Sequence, residues 1–303
     1  MTKTHVSVSQ IAETDYNEFI DEVDTHIETT ENLSETVRDI LVELNGDREL
    51  YEKWQNGEEI SSAAKARLRN YNPKNATLES EYYAEKDEES FERSKPLQYL
   101  WRQFDNTPLA DNIEFALQFR QMLANHLFDD AGDNLRIFKG VTMTYGHNIS
   151  VGDNTVIHDD VHLDDRGRLD IGNRVSISDG AMLYSHDHDV VDQTEVKNYR
   201  TIVEDNVRIT QGALVRAGTR IGENALIGAR SIVDKDVPAH HIAVGSPVKS
   251  VKIKSGWESE ATPVDEANER RKESRRIEYD IDDDTNIFDE FKRDLSPPDD
   301  GSE

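Results

Sequence analysis

From Val151 to Val233 the chain repeats an aliphatic residue at six-residue intervals, with polar and small residues between. Val203, Ile209, Val215, Ile221, Ile227 and Val233 form the longest run; Ile171, Ile177 and Leu183 precede it, and Val151, Ile157 and Leu163 come before those. Gly152, Gly172, Gly222 and Gly228 each follow a beat residue directly. A fixed short period marks a solenoid, in which each repeat buries its apolar face only by stacking on the next. Six residues suit a triangular parallel β-helix. Each short strand sends one branched aliphatic inward, and Gly, Asn or Asp makes the corners because these residues tolerate left-handed backbone. The beat slips twice. Leu163 to Ile171 spans eight positions, so DDRGR should bulge at a corner. Leu183 to Val203 spans twenty, and SHDHDVVDQTEVKNYRT within it is polar and lacks hexads, so a loop should leave the coil there. Loops on rigid scaffolds are where sites tend to be built.

The pattern divides the chain into residues 1–135, 136–254 and 255–303. The first part reads as helical. Leu33, Val37, Ile40, Leu41 and Leu44 fall at helix spacing, with Ser34 as N-cap and Gly46 just past the end. Further helices are expected over Ser61–Asn70, stopped before Pro73, and over Glu79–Phe104 and Ile113–Phe128, broken by Pro96 and Pro108. Tyr99, Trp101, Phe104, Phe115 and Phe119 read as core before they read as a binding site. One reading of this region is a cover for the open end of the coil, whose last strands would otherwise present unpaired backbone groups. The third part is strongly acidic and poor in apolar residues. It reads as a largely disordered tail, with an amphipathic helix over Ala261–Tyr279 as an alternative and solubility in salt as its role.

Charge sharpens this picture. Among 303 residues there are 62 Asp plus Glu against 35 Lys plus Arg, a net charge of −27, and no Cys. Self-repulsion on that scale is tolerable where salt screens it, which points to the cytoplasm of a salt-accumulating halophile. It argues against nucleic acid and anionic membrane as partners, because phosphate binding needs clustered Lys and Arg. There is no apolar stretch of membrane-spanning length and no signal core at MTKTHVSVSQ. Without Cys there can be no disulfide, thiolate nucleophile or Cys-based metal site.

Four segments carry a family resemblance: YGHNISVGDN (145–154), LDDRGRLDIGNRVSISDGAMLYSHDHD (163–189), TIVEDNVRITQGALVRAG (201–218) and RIGENALIGARSIVDKDVPAHHIAVGSPVK (220–249). Together they resemble the hexapeptide-repeat acyltransferases, most of all the galactoside and maltose O-acetyltransferases; the AVGSPVK ending is the most specific match. SFERSKPLQYLWRQFDNTP loosely resembles the helical cap before the coil in the maltose-type enzymes. The resemblance implies a left-handed β-helix, acetyl-CoA as co-substrate without a metal, a sugar-like acceptor hydroxyl, and a homotrimer whose active sites lie between subunits.

It also places the site. His186 occupies the position of the catalytic histidine, where the beat breaks, and a neutral imidazole suits removal of a hydroxyl proton near neutral pH. His188 is the alternative base or an acceptor contact, and a plain surface histidine is the bland reading of His186. His158 falls where galactoside enzymes carry an acceptor-binding Asn, with Asp160 two residues on. Asp165 aligns with an acidic residue near the acceptor pocket, or is a solvated corner acid. Gly212, Ala229 and Ser231 are the small residues expected along the pantetheine arm. Arg230, Lys235 and Lys249 are phosphate contacts or ordinary surface charges. Arg208 replaces the Trp usual in the VWIG hexad.

Two rivals share the coil. A γ-class carbonic anhydrase would need three His ligands, and His158, His162, His186 and His188 are available. HDDVH and SHDH do not reproduce that family's spacing. The other rival is a non-catalytic binding or assembly module. A nucleotidyltransferase would need a Gly-rich nucleotide-binding domain, which the helical first part lacks.

Overall fold

The beat residues become the inner edge of three parallel sheets. The computed structural model describes residues 6–190, 195–261, 263–264, 272–279 and 281. Between Asp130 and Val244 the backbone winds through about six turns, which lay six short strands in one sheet and five in each of the other two among the described residues. Ile137, Ile157, Ile177, Ile209, Ile227 and Ala243 stack in register along one sheet. Met143, Leu163, Leu183, Val215 and Val233 stack along another. Ala131, Val151, Ile171, Val203 and Ile221 make the third. Nearly all of these side chains are buried, and neighbouring rungs supply the apolar contacts that no single rung has. The coil opens at Asp130, on a first rung of Ala131, Ile137 and Met143 whose beat was not read from the sequence.

Most corners follow the expected Gly, Asn or Asp chemistry, with Arg174, His240 and Arg230 as exceptions. One column consists of Asn134, Asn154, Arg174, Asn206, Asn224 and His240, all at positive φ between 54° and 65°. The next column holds Gly140, Asp160, Gly180, Gly212 and Arg230, also at positive φ. The third corner is wider, and both slips fall there. Asp164–Gly167 bulge around it, and one rung later the chain leaves the coil as an antiparallel hairpin, His186–His188 against the start of Val196–Val203. The end of that second strand rejoins the coil parallel to Arg168–Ile171.

Among the described residues six α-helices precede the coil: α1 (Gln10–Thr29), α2 (Leu33–Leu44), α3 (Arg48–Gln55), α4 (Ser62–Asn70), α5 (Glu88–Phe104) and α6 (Ile113–Leu127). α1 and α3 were not anticipated. α1 is polar over most of its surface and buries only a narrow stripe, Ile20, Val23 and Ile27. The N-cap of α2 is Asn32, not Ser34; Asn32 accepts from the Glu35 amide while Ser34 is already helical and buried. Pro96 does not break α5. The ring removes one backbone donor, but Leu97, Leu100, Trp101 and Phe104 bury the helix deeply, and tertiary packing outweighs the local loss. The five aromatics are core: Phe104, Phe115 and Phe119 pack together at 4.4–6.0 Å between ring centroids.

α5 and α6 lie across the first rung and satisfy its outward backbone groups. Trp101 Nε1 donates to the Val141 carbonyl at 3.0 Å and Arg102 to that of Met143 at 3.0 Å. Gln121 accepts from the Leu135 amide at 2.6 Å, and Asp105 from Gly140 at 2.9 Å. These bonds are what an open coil end lacks.

The third part departs from the disordered reading where it is described. Arg276–Ile277 pairs antiparallel with the hairpin strand at Asn198 and Tyr199. Arg275 grips Asp236 through two hydrogen bonds, and Tyr279 donates to the Arg166 carbonyl at 2.8 Å. Residues 276–279 are not helical, so the alternative of a helix through Tyr279 does not hold. The rest of the tail lies outside the described residues.

Candidate functional site

At the wide corner two adjacent aspartates turn opposite ways. Asp165 points into the protein and is wholly buried; its carboxylate accepts from the amides of Thr144 and Tyr145 on one oxygen and of Gly146 and Asn148 on the other, at 2.7–3.2 Å. Burial pushes this carboxyl up to about 7, with the backbone amides opposing and the charge of Asp164 adding to the rise. It therefore holds the rung below in shape and presents nothing to a substrate, which corrects the acceptor-contact reading. Asp164, which the alignment passed over, points to the site.

Asp164 Oδ1 lies 2.9 Å from His186 Nδ1. Burial alone would raise the Asp164 carboxyl, but the hydrogen bond and charge of His186 hold it below its ordinary value. A carboxylate at Nδ1 fixes the tautomer with the proton there and leaves the Nε2 lone pair outward, the arrangement of an oriented base. Buried Ser185 sets the backbone of this contact. Its hydroxyl donates to the Asp164 carbonyl at 2.6 Å and accepts from the Gly167 amide at 2.8 Å. Gly167 is required by space, because a Cβ would stand 2.2 Å from the Tyr199 carbonyl oxygen.

Rings line the approach. Tyr184 meets His162 and His186 edge-on at 5.7 and 6.1 Å, and His188 stands 5.3 Å from His186 on the same face of the hairpin. Burial lowers the His162 pKa, and its Nδ1 pairs with the Thr142 hydroxyl at 3.0 Å. Asp187, between the two histidines, faces away to Arg216 and Lys272 at 2.9 and 3.0 Å. The helical part also reaches this corner. Glu85 pairs with Arg166 at 2.7 Å, and Tyr83 lies under the Arg166 guanidinium at 4.0 Å. No short-range motif in 79–85 signalled this, since the contact spans 81 residues.

The other expected site residues do not join His186 within one chain. His158 and Asp160 sit at the second corner, one sheet away, where His158 stacks on Phe138 at 5.1 Å. Gly212, Ala229 and Arg230 share that same corner column; the Arg230 amide donates to the Gln211 carbonyl at 2.9 Å, and all three residues are exposed. Ser231 is buried and its hydroxyl accepts from Gly245 at 3.0 Å, so it supports the corner from inside instead of lining a groove. Lys249 is exposed on the strand Lys249–Ile253, which runs antiparallel to His241–Val244, and is paired with Val244, which packs against Gly228. Lys235 is half-buried on the wide corner two residues after Val233, away from Arg230. Arg208 points outward from its sheet and is exposed.

A parallel coil of six-residue rungs, with a carboxylate-oriented imidazole at the base of a hairpin, defines a β-helical transferase scaffold. Over 154 residues the chain is 30% identical to the putative colanic acid biosynthesis acetyltransferase WcaF of Escherichia coli K12, covering 50% of this chain and 85% of that protein. It is 28% identical over 137 residues to the galactoside O-acetyltransferase of the same organism, covering 44% of this chain and 68% of that one. Among solved structures, a maltose O-acetyltransferase from Clostridium difficile 630 superposes with a TM-score of 0.50 at 28% identity, over 59% of this chain and 99% of that one. No sequence-family model matches the chain. The chain belongs to the hexapeptide-repeat acetyltransferases of the galactoside and maltose O-acetyltransferase type. It is an acyltransferase.

Proposed function

We propose that this protein transfers an acetyl group from acetyl-CoA to a hydroxyl of a sugar-like acceptor, with His186 as general base. The observation that carries this is the 2.9 Å contact between His186 Nδ1 and Asp164. In the proposed reaction the acceptor O–H gives its proton to Nε2 as its oxygen attacks the thioester carbonyl. The tetrahedral oxyanion collapses, the carbon–sulfur bond breaks, and the coenzyme A thiolate takes the proton from the imidazolium. Ester and thiol form, and the imidazole ends neutral. Asp164 stabilises the imidazolium between those two proton transfers. No covalent enzyme intermediate is needed, so rate comes from positioning and charge stabilisation in a ternary complex.

Coenzyme A is assigned to the second corner column, its arm passing Gly212 and Ala229 with Arg230 and Lys249 toward its phosphates. His158 and Asp160 occupy that column in an earlier rung, and a single chain separates them from His186 by a whole sheet. A homotrimer of left-handed coils reconciles this, with His158 and Asp160 of one subunit facing His186 and His188 of the next. Mixing His186→Ala with His158→Ala subunits should then restore part of the activity. The acidic surface fits a halophile's cytoplasm.

Against a metal hydratase, HDDVH and SHDH do not reproduce the histidine spacing of the γ-class carbonic anhydrases. The deciding experiment is calorimetric titration of acetyl-CoA into the protein in molar KCl, followed by thiol release with a panel of sugars. The sequence has no Cys to give background. Binding of one ligand per chain with acceptor-dependent thiol release supports the reading; a folded protein that binds none overturns it.

A further inference from the structure

Far from His186 in the sequence, three metal-ligating side chains meet where the ends of two helices converge. Asp24 and Glu28 lie one turn apart near the C-terminus of α1, and His126 is the penultimate residue of α6. One donor atom from each lies within 4.8 Å of the other two, and His126 Nε2 is 2.6 Å from Asp24 Oδ1. The His126 side chain is only 9% exposed, so the imidazole is held in place by packing between the helices. Glu28 is exposed and makes no ion pair among the described residues.

The His126–Asp24 contact accounts for two of these side chains and leaves Glu28 without a stabilising partner among the described residues. Two carboxylates at i and i+4 repel each other. Glu28 stands in the last turn of α1, at the negative end of its dipole where acids are disfavoured, and the C-terminus of α6 brings a second negative end to the same place. The chain as a whole already carries −27. Each of these terms favours a cation at that point. The donor set narrows its identity. An imidazole nitrogen with two carboxylate oxygens suits a borderline divalent ion such as zinc, cobalt or manganese, whereas calcium takes an all-oxygen shell. Tetrahedral ligands at ~2.0–2.2 Å from the ion sit about 3.3–3.6 Å apart, so small rotations of Glu28 and His126 would close the set, with water as the fourth ligand.

We infer that Asp24, Glu28 and His126 bind a divalent transition-metal ion that staples α1 to α6. The site is independent of acetyl transfer. It ties down a helix whose buried stripe is only Ile20, Val23 and Ile27.

The test uses full-length protein stripped with chelator and titrated with cobalt(II), read by the visible absorption of four-coordinate cobalt and by thermal unfolding. One cobalt per chain should bind, and Tm should rise by about 5 °C at a hundredfold excess over Kd. His126→Gln and Glu28→Gln should each weaken binding more than about tenfold and remove that rise. Glu28 is exposed, so its replacement cannot fail merely by unfolding the protein. No saturable binding would overturn the inference. So would binding that survives both substitutions, which would place the ion elsewhere, His186 and His188 included.

Discussion

Asp164 and His186 are separated by 22 residues yet face each other across one rung of the coil, with Oδ1 and Nδ1 2.9 Å apart. The contact exists because the chain closes slightly more than one full turn between them, and the buried Ser185 hydroxyl bonds the Asp164 carbonyl directly beneath. His186→Ala should lower turnover by at least ~100-fold while leaving acetyl-CoA affinity near wild type. Asp164→Asn should also cost on the order of 100-fold, because an amide can offer N–H to Nδ1 and cannot stabilise an imidazolium. Steady-state kinetics paired with calorimetry separates these effects from misfolding.

Asp165, the next residue, should behave oppositely. Asp165→Ala strands four backbone donors, three of them buried, and leaving several such groups unpaired costs at least about 3 kcal/mol. Urea unfolding should show that loss. A stable Asp165→Ala protein with only a raised acceptor KM would reinstate it as an acceptor contact.

His147 supplies a pH signature. Burial pulls its pKa from 6.5 down to about 4, and Nδ1 bonds Ser94 at 2.9 Å. Below pH 6.5 the unfolded chain takes up a proton that the folded one refuses until about pH 4, so stability drains away across that window as pH falls. Asp165 works the other way. Its carboxyl, raised from 3.8 to about 7, loses stability as pH rises between those values. Unfolding of wild type and His147→Gln between pH 4 and 7 isolates the first effect: the wild type should lose more stability on acidification.

Gly167→Ala tests the backbone under the site. Its Cβ would collide with carbonyl oxygens of Tyr199 at 2.2 Å and Ser185 at 2.7 Å, so the hairpin base must shift. A loss of roughly 1–3 kcal/mol in stability with a larger proportional fall in turnover is expected, read by urea unfolding and kinetics.

Deleting residues 1–129 should leave the first rung exposed. Val141 and Met143 lose the side-chain donors now on their carbonyls, and Ile137 and Leu135 lose their apolar cover. Aggregation in light scattering is the expected result; a soluble truncation with an intact coil would show the helices are not a cap.

The coil was readable because one apolar face repeats every six residues and nothing else competes for those positions. The wide corner was readable as a break in that count, since Leu163–Ile171 and Leu183–Val203 cannot stay on the beat. Which aspartate faces the histidine was not. Asp164 and Asp165 are chemically identical, and only the bulged backbone decides that one turns in and the other out. α1 escaped notice because its stripe of Ile20, Val23 and Ile27 is narrow in a polar helix. Pro96 misled because a local rule was outweighed by long-range burial. The docking of Tyr279 onto the Arg166 carbonyl spans 113 residues, a relationship no local pattern encodes.

The hairpin leaves the coil at Ser185 and the chain rejoins it with Val203 stacked on Ile171, in the register it would have had with no excursion. The core therefore does not register how long that excursion is. Beyond the His186–His188 strand, its length and sequence can change while the scaffold and the Asp164–His186 pair stay as they are. If the hairpin meets the acceptor as proposed, a new acceptor preference needs only a cassette changed at one corner, without the rest of the molecule having to be solved again.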